Sequence, residues 1–167
     1  MKALSRLSPL AKGEIWVGSD DGLVHLTRDG GKNWTAVTPA AVPAWSTVEA
    51  VTPSRWEDGT AYLAVDAHRL DDHRPYLFKT RDFGKTWQRL ERGLPSDMSV
   101  LTVKEDERDP NLVYLGGERG VFLSRDAGAS FEPLKLNLPA VAVTDLEARH
   151  DDLIVATRGR ALWILED

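Results

Sequence analysis

Short apolar segments separated by polar turns follow one another along the entire chain. Many of these segments are rich in β-branched and aromatic residues, and their length is typical of strands rather than helices. The predicted strands are 3–9, 14–19, 23–26 and 34–37; 48–51, 61–65, 76–79 and 87–90; 100–103, 112–115, 120–123 and 131–134; and 143–148, 153–156 and 161–165. The pattern therefore predicts an all-β chain of four antiparallel strand groups, and the last group lacks its fourth strand.

One eight-residue pattern occurs three times, as TRDGGKNW at 27–34, TRDFGKTW at 80–87 and SRDAGASF at 124–131. In such a turn the Asp accepts backbone amide protons, the Gly supplies a positive φ, and the aromatic residue begins the next strand and packs inward. The residues predicted to hold the turns are Asp29, Gly31 and Trp34; Asp82, Gly84 and Trp87; and Asp126, Gly128 and Phe131. Successive Asp residues are 53 and 44 positions apart, close to the roughly 40–50 residues of a propeller blade.

The three turns resemble Asp-box (BNR) repeats, which occur in sialidases, sortilin-type propellers and xyloglucan-cleaving hydrolases. Longer stretches resemble the C-terminal blades of bacterial sortilin-like and glycosyl-hydrolase-type BNR-repeat proteins: WVGSDDGLVHLTRDGGKNW, AVDAHRLDDHRPYLFKTRDFGKTW, YLGGERGVFLSRDAG and DDLIVATRGRALWILED. The resemblance implies one β-propeller segment of four-stranded antiparallel Asp-box blades, at about 1–40, 45–92, 97–136 and 140–167. It also implies that the Asp-boxes lie on outer hairpins, away from any active site.

Composition narrows the classes of function. The chain has 21 Lys and Arg against 26 Asp and Glu, a formal charge of −5, and no basic block, so nucleic-acid binding is not expected. It has no Cys, and it lacks phosphate-loop, dinucleotide and Ser-nucleophile motifs, so no cofactor is predicted. Neither a membrane-spanning run nor a signal peptide is recognised. The sequence does not determine the cellular compartment, because the resemblance suggests an exported protein whereas the chain itself has the features of a cytoplasmic one.

Loops that join second to third strands lie at one mouth of a propeller, where ligands usually bind. Here they are 19–22, 66–75, 117–120 and 157–160, and they gather carboxylates and guanidinium groups on one face. The predicted ligand, a glycan or a peptide, would contact His68, Arg69, Asp72, His73, Glu118, Arg119, Arg158 and Arg160. The candidate catalytic carboxylates are Asp71, Asp72 and Glu118, with Asp20 and Asp66 as further members of the mouth.

Most of these residues can also be interpreted as purely structural. Asp66 is expected to cap its strand or to pair with His68 or Arg69. The spacing of His68, Asp71, Asp72 and His73 matches no recognised set of metal ligands, and arginines flank it, so no metal site is predicted. A loop tied by Arg–Asp pairs is favoured instead. For the two arginines at 157–160, pairing with Asp151, Asp152 or Glu118 is favoured over an anion site.

The six tryptophans divide into three groups. Trp16 and Trp163 lie in strands and are expected in the core. Trp34 and Trp87 belong to the repeated turns and are expected to be buried between blades. Trp45 and Trp56 lie in loops, so they are the candidates for stacking on a ligand.

An unclosed row of blades would expose apolar faces at both ends. The chain is therefore expected to be part of a larger propeller protein, to form a homodimer with a ring of about eight blades, or to close as four blades. The residues assigned to the two open faces are Leu4, Leu7, Ile15 and Val17, and Leu146, Ile154, Val155 and Ile164. Two functions remain: a non-catalytic scaffold or binding module, or a glycoside hydrolase, whole or partial, whose carboxylate pair would face across a cleft.

Overall fold

Four antiparallel β-sheets follow one another along the chain in the computed structural model, which describes residues 2–135, 140–159 and 162–166. Sheet 1 contains β1 (Ala3–Leu7), β2 (Ile15–Ser19), β3 (Val24–Thr27) and β4 (Thr35–Ala36). Sheet 2 contains β5 (Thr47–Pro53), β6 (Ala61–Ala67), β7 (Asp72–Thr80) and β8 (Gln88–Arg89). Sheet 3 contains β9 (Val100–Glu105), β10 (Val113–Gly117), β11 (Gly120–Ser124) and β12 (Glu132–Pro133). Sheet 4 contains β13 (Val143–Arg149), β14 (Asp152–Thr157) and β15 (Leu162–Glu166).

Strands that are neighbours in sequence are neighbours in every sheet, as short turns between antiparallel strands require. The all-β prediction is confirmed. The fourth strand of each complete sheet has only two residues, fewer than the sequence pattern predicts. Within the described residues, no helix is long and apolar enough to cross a membrane.

Residues 68–75 (HRLDDHRP), an insertion within the predicted loop 66–75, do not form a long loop. Its first residues, His68–Leu70, form a short 3₁₀ helix, and Asp71 closes the turn at φ 58°. The rest extends the hairpin, because Ala67 pairs with Asp72 and β7 begins there. The strand pairing of sheet 2 therefore takes up most of the inserted residues.

Apolar side chains on facing sheets form the core. Between sheets 1 and 2 the buried residues include Trp16, Val24, Val48, Leu63 and Phe78. Between sheets 2 and 3 they include Tyr62, Leu77, Val100, Leu115 and Phe131, and between sheets 3 and 4 they include Val121, Val143, Leu146, Leu153 and Val155. Each sheet thus buries one face against the next, as successive blades do.

The first strands of the four sheets converge on one axis. A small cavity of about 210 Å³ is lined by residues of all four, among them Arg6, Thr52, Lys104 and Glu147. The first strand is therefore the inner strand of each sheet, and the two-residue fourth strand lies at the outer rim.

The three repeated turns share one hydrogen-bond geometry. In the second copy, Thr80 Oγ1 donates to Asp82 Oδ1 at 2.9 Å and accepts the Gly84 amide proton at 2.9 Å. The Thr86 amide and hydroxyl donate to the two Asp82 oxygens at 2.8 and 2.6 Å. The carboxylate thus holds both sides of the turn.

Corresponding bonds form in the other two copies. The hydrogen bonds from Asn33 and Thr27 lower the pKa of Asp29 to about 2. Those from Ser130 and Ser124 lower the pKa of Asp126 to about 2.

The aromatic residues that end these turns do not share one environment. The Trp87 indole N–H donates to the Val37 carbonyl of sheet 1 at 2.8 Å, and Phe131 is buried against sheet 2. Trp34 is 46% exposed, and its indole N–H donates to Gly31 within its own turn. The prediction of a buried Trp34 is wrong, because among the described residues no sheet lies before sheet 1.

The expected environment of Trp163 is also wrong. Trp16 is fully buried as predicted, whereas Trp163 is 37% exposed. Trp163 lies on β15, which has no fourth strand beside it among the described residues of sheet 4. Trp163 shares a face with the buried Val155, but it lies on the outermost described strand of the sheet and is covered only in part.

Candidate functional site

Two sets of loops lie at opposite ends of the sheets. At one end, loops that join second to third strands bond to segments entering the inner strands: Trp45 N–H to Asp21 at 3.2 Å, Glu118 N–H to Ser99 at 3.2 Å, and Arg158 N–H to Ala142 at 3.0 Å. We call this end the mouth. At the opposite end, the repeated turns bond to loops that join first to second strands, with Gly30, Phe83 and Ala127 as amide donors.

One charged residue lies at an equivalent position of the mouth in each sheet, either directly after the second strand or, for Asp66, one residue before its end. Asp20 donates its amide proton to the Lys2 carbonyl at 3.0 Å, and Asp66 pairs with Thr47. Glu118 and Arg158 occupy the same place in sheets 3 and 4 through their bonds to Ser99 and Ala142. Three acidic residues and one arginine thus occupy equivalent backbone positions at the mouth.

Glu49 joins this group through a β-bulge. The pairing of β5 with β6 shifts between Val48 and Ala50, so Glu49 has no opposite residue. The inner strands of sheets 3 and 4 are also bulged at this level. A bulge re-aims a side chain, and only the bulge of sheet 2 carries a charge.

The pKa of Glu49 is raised, first by partial desolvation and next by the negative charge of Asp66, although the side chain retains contact with solvent. Lys2, Arg158 and His68 oppose the shift. The pKa of Glu49 therefore depends on charged residues at the mouth ends of sheets 1, 2 and 4. Sequence reasoning missed Glu49. The available signal was a charged residue in an inner strand that is otherwise apolar at its centre.

Asp66 is held as a carboxylate. Burial by itself raises its pKa, but the His68 amide at 3.0 Å, with nearby Ser99 and the His68 ring, more than offsets that effect, so the pKa is lowered. The His68 Nδ1 contacts the other carboxylate oxygen. Ser99 is fully buried and its hydroxyl makes no hydrogen bond of good geometry, although it lies close enough to affect Asp66. The predicted pairing of Asp66 with His68 is thus present.

The insertion uses its charges internally. Arg74 binds Asp72 through two hydrogen bonds of 2.9 and 2.7 Å, and the Tyr76 hydroxyl donates to Asp72 at 2.6 Å. The Arg74 bond, opposed by partial desolvation, holds the pKa of Asp72 well below its ordinary value. Asp72 is therefore a structural anchor of β7 and not a free catalytic group. The Arg–Asp pair expected in this segment is present.

The other residues of the insertion that were predicted to contact a ligand do not converge on one site. His68 turns to Asp66, while Arg69, Asp71 and His73 are exposed. Across the described ranges, no group of three or more His, Asp or Glu side chains is arranged to hold a metal ion.

Glu118 and Arg119 lie at the mouth but have separate partners. The Ser99 amide donates to Glu118 Oε2 at 3.4 Å, a long bond. The Arg119 guanidinium lies 2.5 Å from the Asp97 carboxylate, and both side chains are exposed. An exposed pair of this kind contributes little stability.

Asp151 was one of three partners predicted for the last arginines, beside Asp152 and Glu118, and it has a different partner. Asp151 pairs with Arg108 of sheet 3 at 2.5 Å. The turn at 150–151 joins the first and second strands of sheet 4, so it lies at the end opposite the mouth. Arg158 is exposed at the mouth, and Arg160 lies outside the described residues.

The two loop tryptophans also separate. Trp45 lies at the mouth, is 75% exposed and has φ 68°, which is rare for a bulky residue. The Trp56 indole N–H donates to the Asp106 carbonyl at 3.0 Å, at the opposite end. Only Trp45 therefore adds an aromatic surface to the mouth.

Comparison with known proteins shows the fold. No family model matches the chain. An oligoxyloglucan-reducing end-specific xyloglucanase from Emericella nidulans is 29% identical over 127 residues, which cover 72% of this chain and 16% of that protein. The GH74 xyloglucanase structure from Xanthomonas campestris matches with a TM-score of 0.77 and 12% identity, over 97% of this chain and 29% of that chain.

A structure of YCF48 bound to D1 peptide matches with a TM-score of 0.69 and 14% identity, over 98% of this chain and 54% of that chain. The chain thus spans about one sixth of the curated relative that it matches. It is a β-propeller fold that resembles the propellers of glycoside hydrolases.

Proposed function

We propose that the chain is a non-catalytic propeller binding module whose mouth binds a peptide through a Lys or Arg side chain. The observation that carries the proposal is the placement of Asp20, Asp66 and Glu118 at equivalent positions around one axis, with Glu49 among them. Charge complementarity of this kind selects the partner and orients it.

The balance of charge at the mouth favours a cation. Lys2, Arg158 and His68 are the cations that act on Glu49; His68 is already turned to Asp66, and Arg119 is paired with Asp97. Sugar hydroxyls can donate to these carboxylates, but an ammonium or guanidinium group adds an opposite charge to the same hydrogen bonds. Trp45 supplies an exposed ring on which a cation or an apolar side chain can stack.

The mouth is tested with a fluorescein-labelled peptide of alternating Lys and Gly, followed by anisotropy. Glu49→Gln is expected to weaken binding by about tenfold, because it removes one charged partner of the cation. Asp58→Asn is the matched control, since Asp58 is exposed and lies at the opposite end. Equal affinity for a Glu–Gly peptide, or an equal loss in Asp58→Asn, would contradict the proposal.

A fragment of a glycoside hydrolase is the second candidate. The relative with 29% identity is named as a xyloglucanase. In addition, the pKa values of Glu49 and Asp66 are shifted in opposite directions, which is typical of an acid and its partner carboxylate. Turnover of xyloglucan oligosaccharides that disappears in Glu49→Gln, but persists in Asp58→Asn, would favour this candidate over the binding module.

We also propose that the three turns are Asp-box repeats and that the four sheets are propeller blades, the last incomplete. The shared hydrogen bonds of Asp29, Asp82 and Asp126 support the first statement. The stacking of each sheet on the next and the structural neighbours support the second.

The proposed quaternary state is a homodimer in which two copies form a ring of about eight blades. Alternatively, the neighbouring blades of a larger propeller protein would cover the open faces of sheets 1 and 4. Leu7 is 71% and Ile164 57% exposed on the faces assigned to the interface, and Ile15, Val17 and Ile154 are half-buried. Three residues that were predicted on these faces lie elsewhere: Leu4 packs into the core of sheets 1 and 2, while Leu146 and Val155 are buried against sheet 3.

Trp34 provides the sharpest test of this assembly. Its counterparts Trp87 and Phe131 each pack on a preceding sheet, so Trp34 is expected to pack on the sheet of a second copy. Sedimentation should give the mass of a dimer for the native chain and of a monomer for Trp34→Glu. Trp45→Glu changes an exposed tryptophan that lies at the mouth, away from the proposed interface, and should leave the dimer intact. A native chain that sediments as a monomer at micromolar concentration would contradict the assembly.

A further inference from the structure

A groove of about 880 Å³ lies between the outer parts of sheets 1 and 2. Its apolar lining includes the buried Leu26, Val37 and Phe78 and the partly exposed Phe83 and Trp87. This volume falls in the usual range of ligand pockets, about 300–1,000 Å³. The groove is remote from the mouth, since it contains the repeated turns and the fourth strand of sheet 1.

A single difference between equivalent residues explains part of the space. Leu26 of sheet 1 and Lys79 of sheet 2 are each paired with the first residue of a two-residue fourth strand. Lys79 crosses the gap between sheets 2 and 3, and its Nζ donates to the Ala127 carbonyl at 2.9 Å. Leu26 is shorter and makes no such bridge to sheet 2, so the corresponding gap stays open.

The charges around the groove are mainly positive, in a chain whose net charge is −5. Arg28, Lys85 and Arg89 line it. The Arg28 guanidinium lies 3.6 Å from the Phe83 ring centroid, and Arg89 has Glu91 at 3.3 Å, outside the lining. Arg89 is engaged by Glu91 and by the Pro75 carbonyl at 2.9 Å, so Arg28 and Lys85 are the cations that the groove offers to a ligand.

Asp29 is the carboxylate in the lining, and its oxygens are already occupied. The Asn33 amide and side chain donate to them at 2.9 and 2.6 Å, and Thr27 donates at 2.9 Å. Asp29 keeps its negative charge but is committed to its own turn, so the lining offers a ligand two available cations against one carboxylate whose oxygens are occupied.

The wall of the groove includes a strand edge. Thr35 and Ala36 form β4, which is the outermost strand of sheet 1 and pairs only with β3 in that sheet. Both residues are exposed and line the groove. An outer strand presents backbone donors and acceptors along its free edge, which is how sheets accept an extended peptide.

We propose that this groove binds an extended peptide segment in which acidic residues alternate with aliphatic ones. The aliphatic side chains contact the partly exposed rings of Phe83 and Trp87, the acidic ones meet Arg28 and Lys85 at the rim, and the peptide backbone follows the edge of β4. This site is separate from the proposed function of the mouth, so either one can fail without the other.

The probe is a fluorescein-labelled peptide of alternating Glu and Val over about eight residues, a length of about 27 Å when extended. Anisotropy is expected to show saturable binding that weakens as salt is added. Arg28→Glu and Lys85→Glu should each weaken binding by at least about tenfold, because each replaces an attraction with a repulsion. Both side chains are exposed, so folding should be retained, and thermal melting checks this.

Arg125→Glu is the matched control. Arg125 occupies in the third turn the position that Arg28 occupies in the first, but it lies outside the groove. Its reversal should leave the affinity within about twofold. Equal binding of a Lys–Val peptide, equal losses in Arg28→Glu and Arg125→Glu, or no binding of the Glu–Val peptide at millimolar concentration would each overturn the proposal. The proposal would also fail if the groove were the interface between two copies, that is, if Lys85→Glu dissociated the dimer and Trp34→Glu did not.

Discussion

Gly93→Ala is expected to lower the free energy of unfolding by about 3–5 kcal/mol, near the upper limit for single substitutions. Gly93 has φ 84°, and a Cβ atom there would lie 2.0 Å from the Phe131 carbonyl oxygen. That carbonyl cannot retreat easily, since the Phe131 amide donates to the Arg92 carbonyl at 2.9 Å. The new methyl group must therefore push sheets 2 and 3 apart.

Gly30→Ala separates the backbone effect from the clash. Gly30 has φ 74°, but nothing lies within 4 Å of the added Cβ. Only the left-handed conformation is penalised, at about 1–2 kcal/mol. Urea denaturation of the two variants, followed by tryptophan fluorescence, measures the difference. Equal losses in both would mean that the contact between Gly93 and Phe131 does not constrain the sheets.

Asp82→Ala is expected to lower the melting temperature by several degrees, the second largest effect. The substitution leaves the Thr86 amide and hydroxyl without their acceptor, and it removes the bond from Thr80. Asp29→Ala and Asp126→Ala should behave alike, because their turns have the same bonds. Melting curves unchanged in all three variants would contradict a structural role for these carboxylates.

The same carboxylates predict how stability depends on pH. The hydrogen bonds hold the pKa of Asp29 and Asp126 at about 2, below the ordinary 3.8, and they lower the pKa of Asp82 as well. A carboxyl with a lowered pKa in the folded state contributes its full stabilisation above about 3.8 and loses it as the pH falls towards 2. The melting temperature of the native chain should therefore fall across that window. The variant with all three Asp residues changed to Asn should fall less.

Local patterning along the chain determines much of the fold. Strand positions, the four strand groups and the incomplete last group all follow from short apolar runs and turn residues. These signals act over a few residues, since a hydroxyl two positions before an Asp or a Gly two positions after it meets its partner within one turn. The single insertion was misjudged because its second half pairs with β6, and pairing depends on register rather than on composition.

The mouth was predicted only in part. The topology placed Asp20, Asp66, Glu118 and Arg158 together, because loops of the same rank meet at one end. Glu49 was missed because a bulge, which is a feature of two paired strands, sets its direction. Asp72 was over-valued because Arg74 and Tyr76 saturate its carboxylate.

What the sequence determined by itself is the set of local elements: strands, repeated turns and the acidic and basic residues that the turns carry. Stacking of the sheets decided the rest. Trp34, Trp87 and Phe131 occupy the same place in the repeat, yet Trp34 is exposed and the other two pack on a neighbouring sheet. The groove beside Leu26 likewise exists because no long side chain crosses from sheet 1 as Lys79 does from sheet 2. The physical reason is that hydrogen bonds within a turn depend on nearby residues, whereas burial depends on which surface lies opposite.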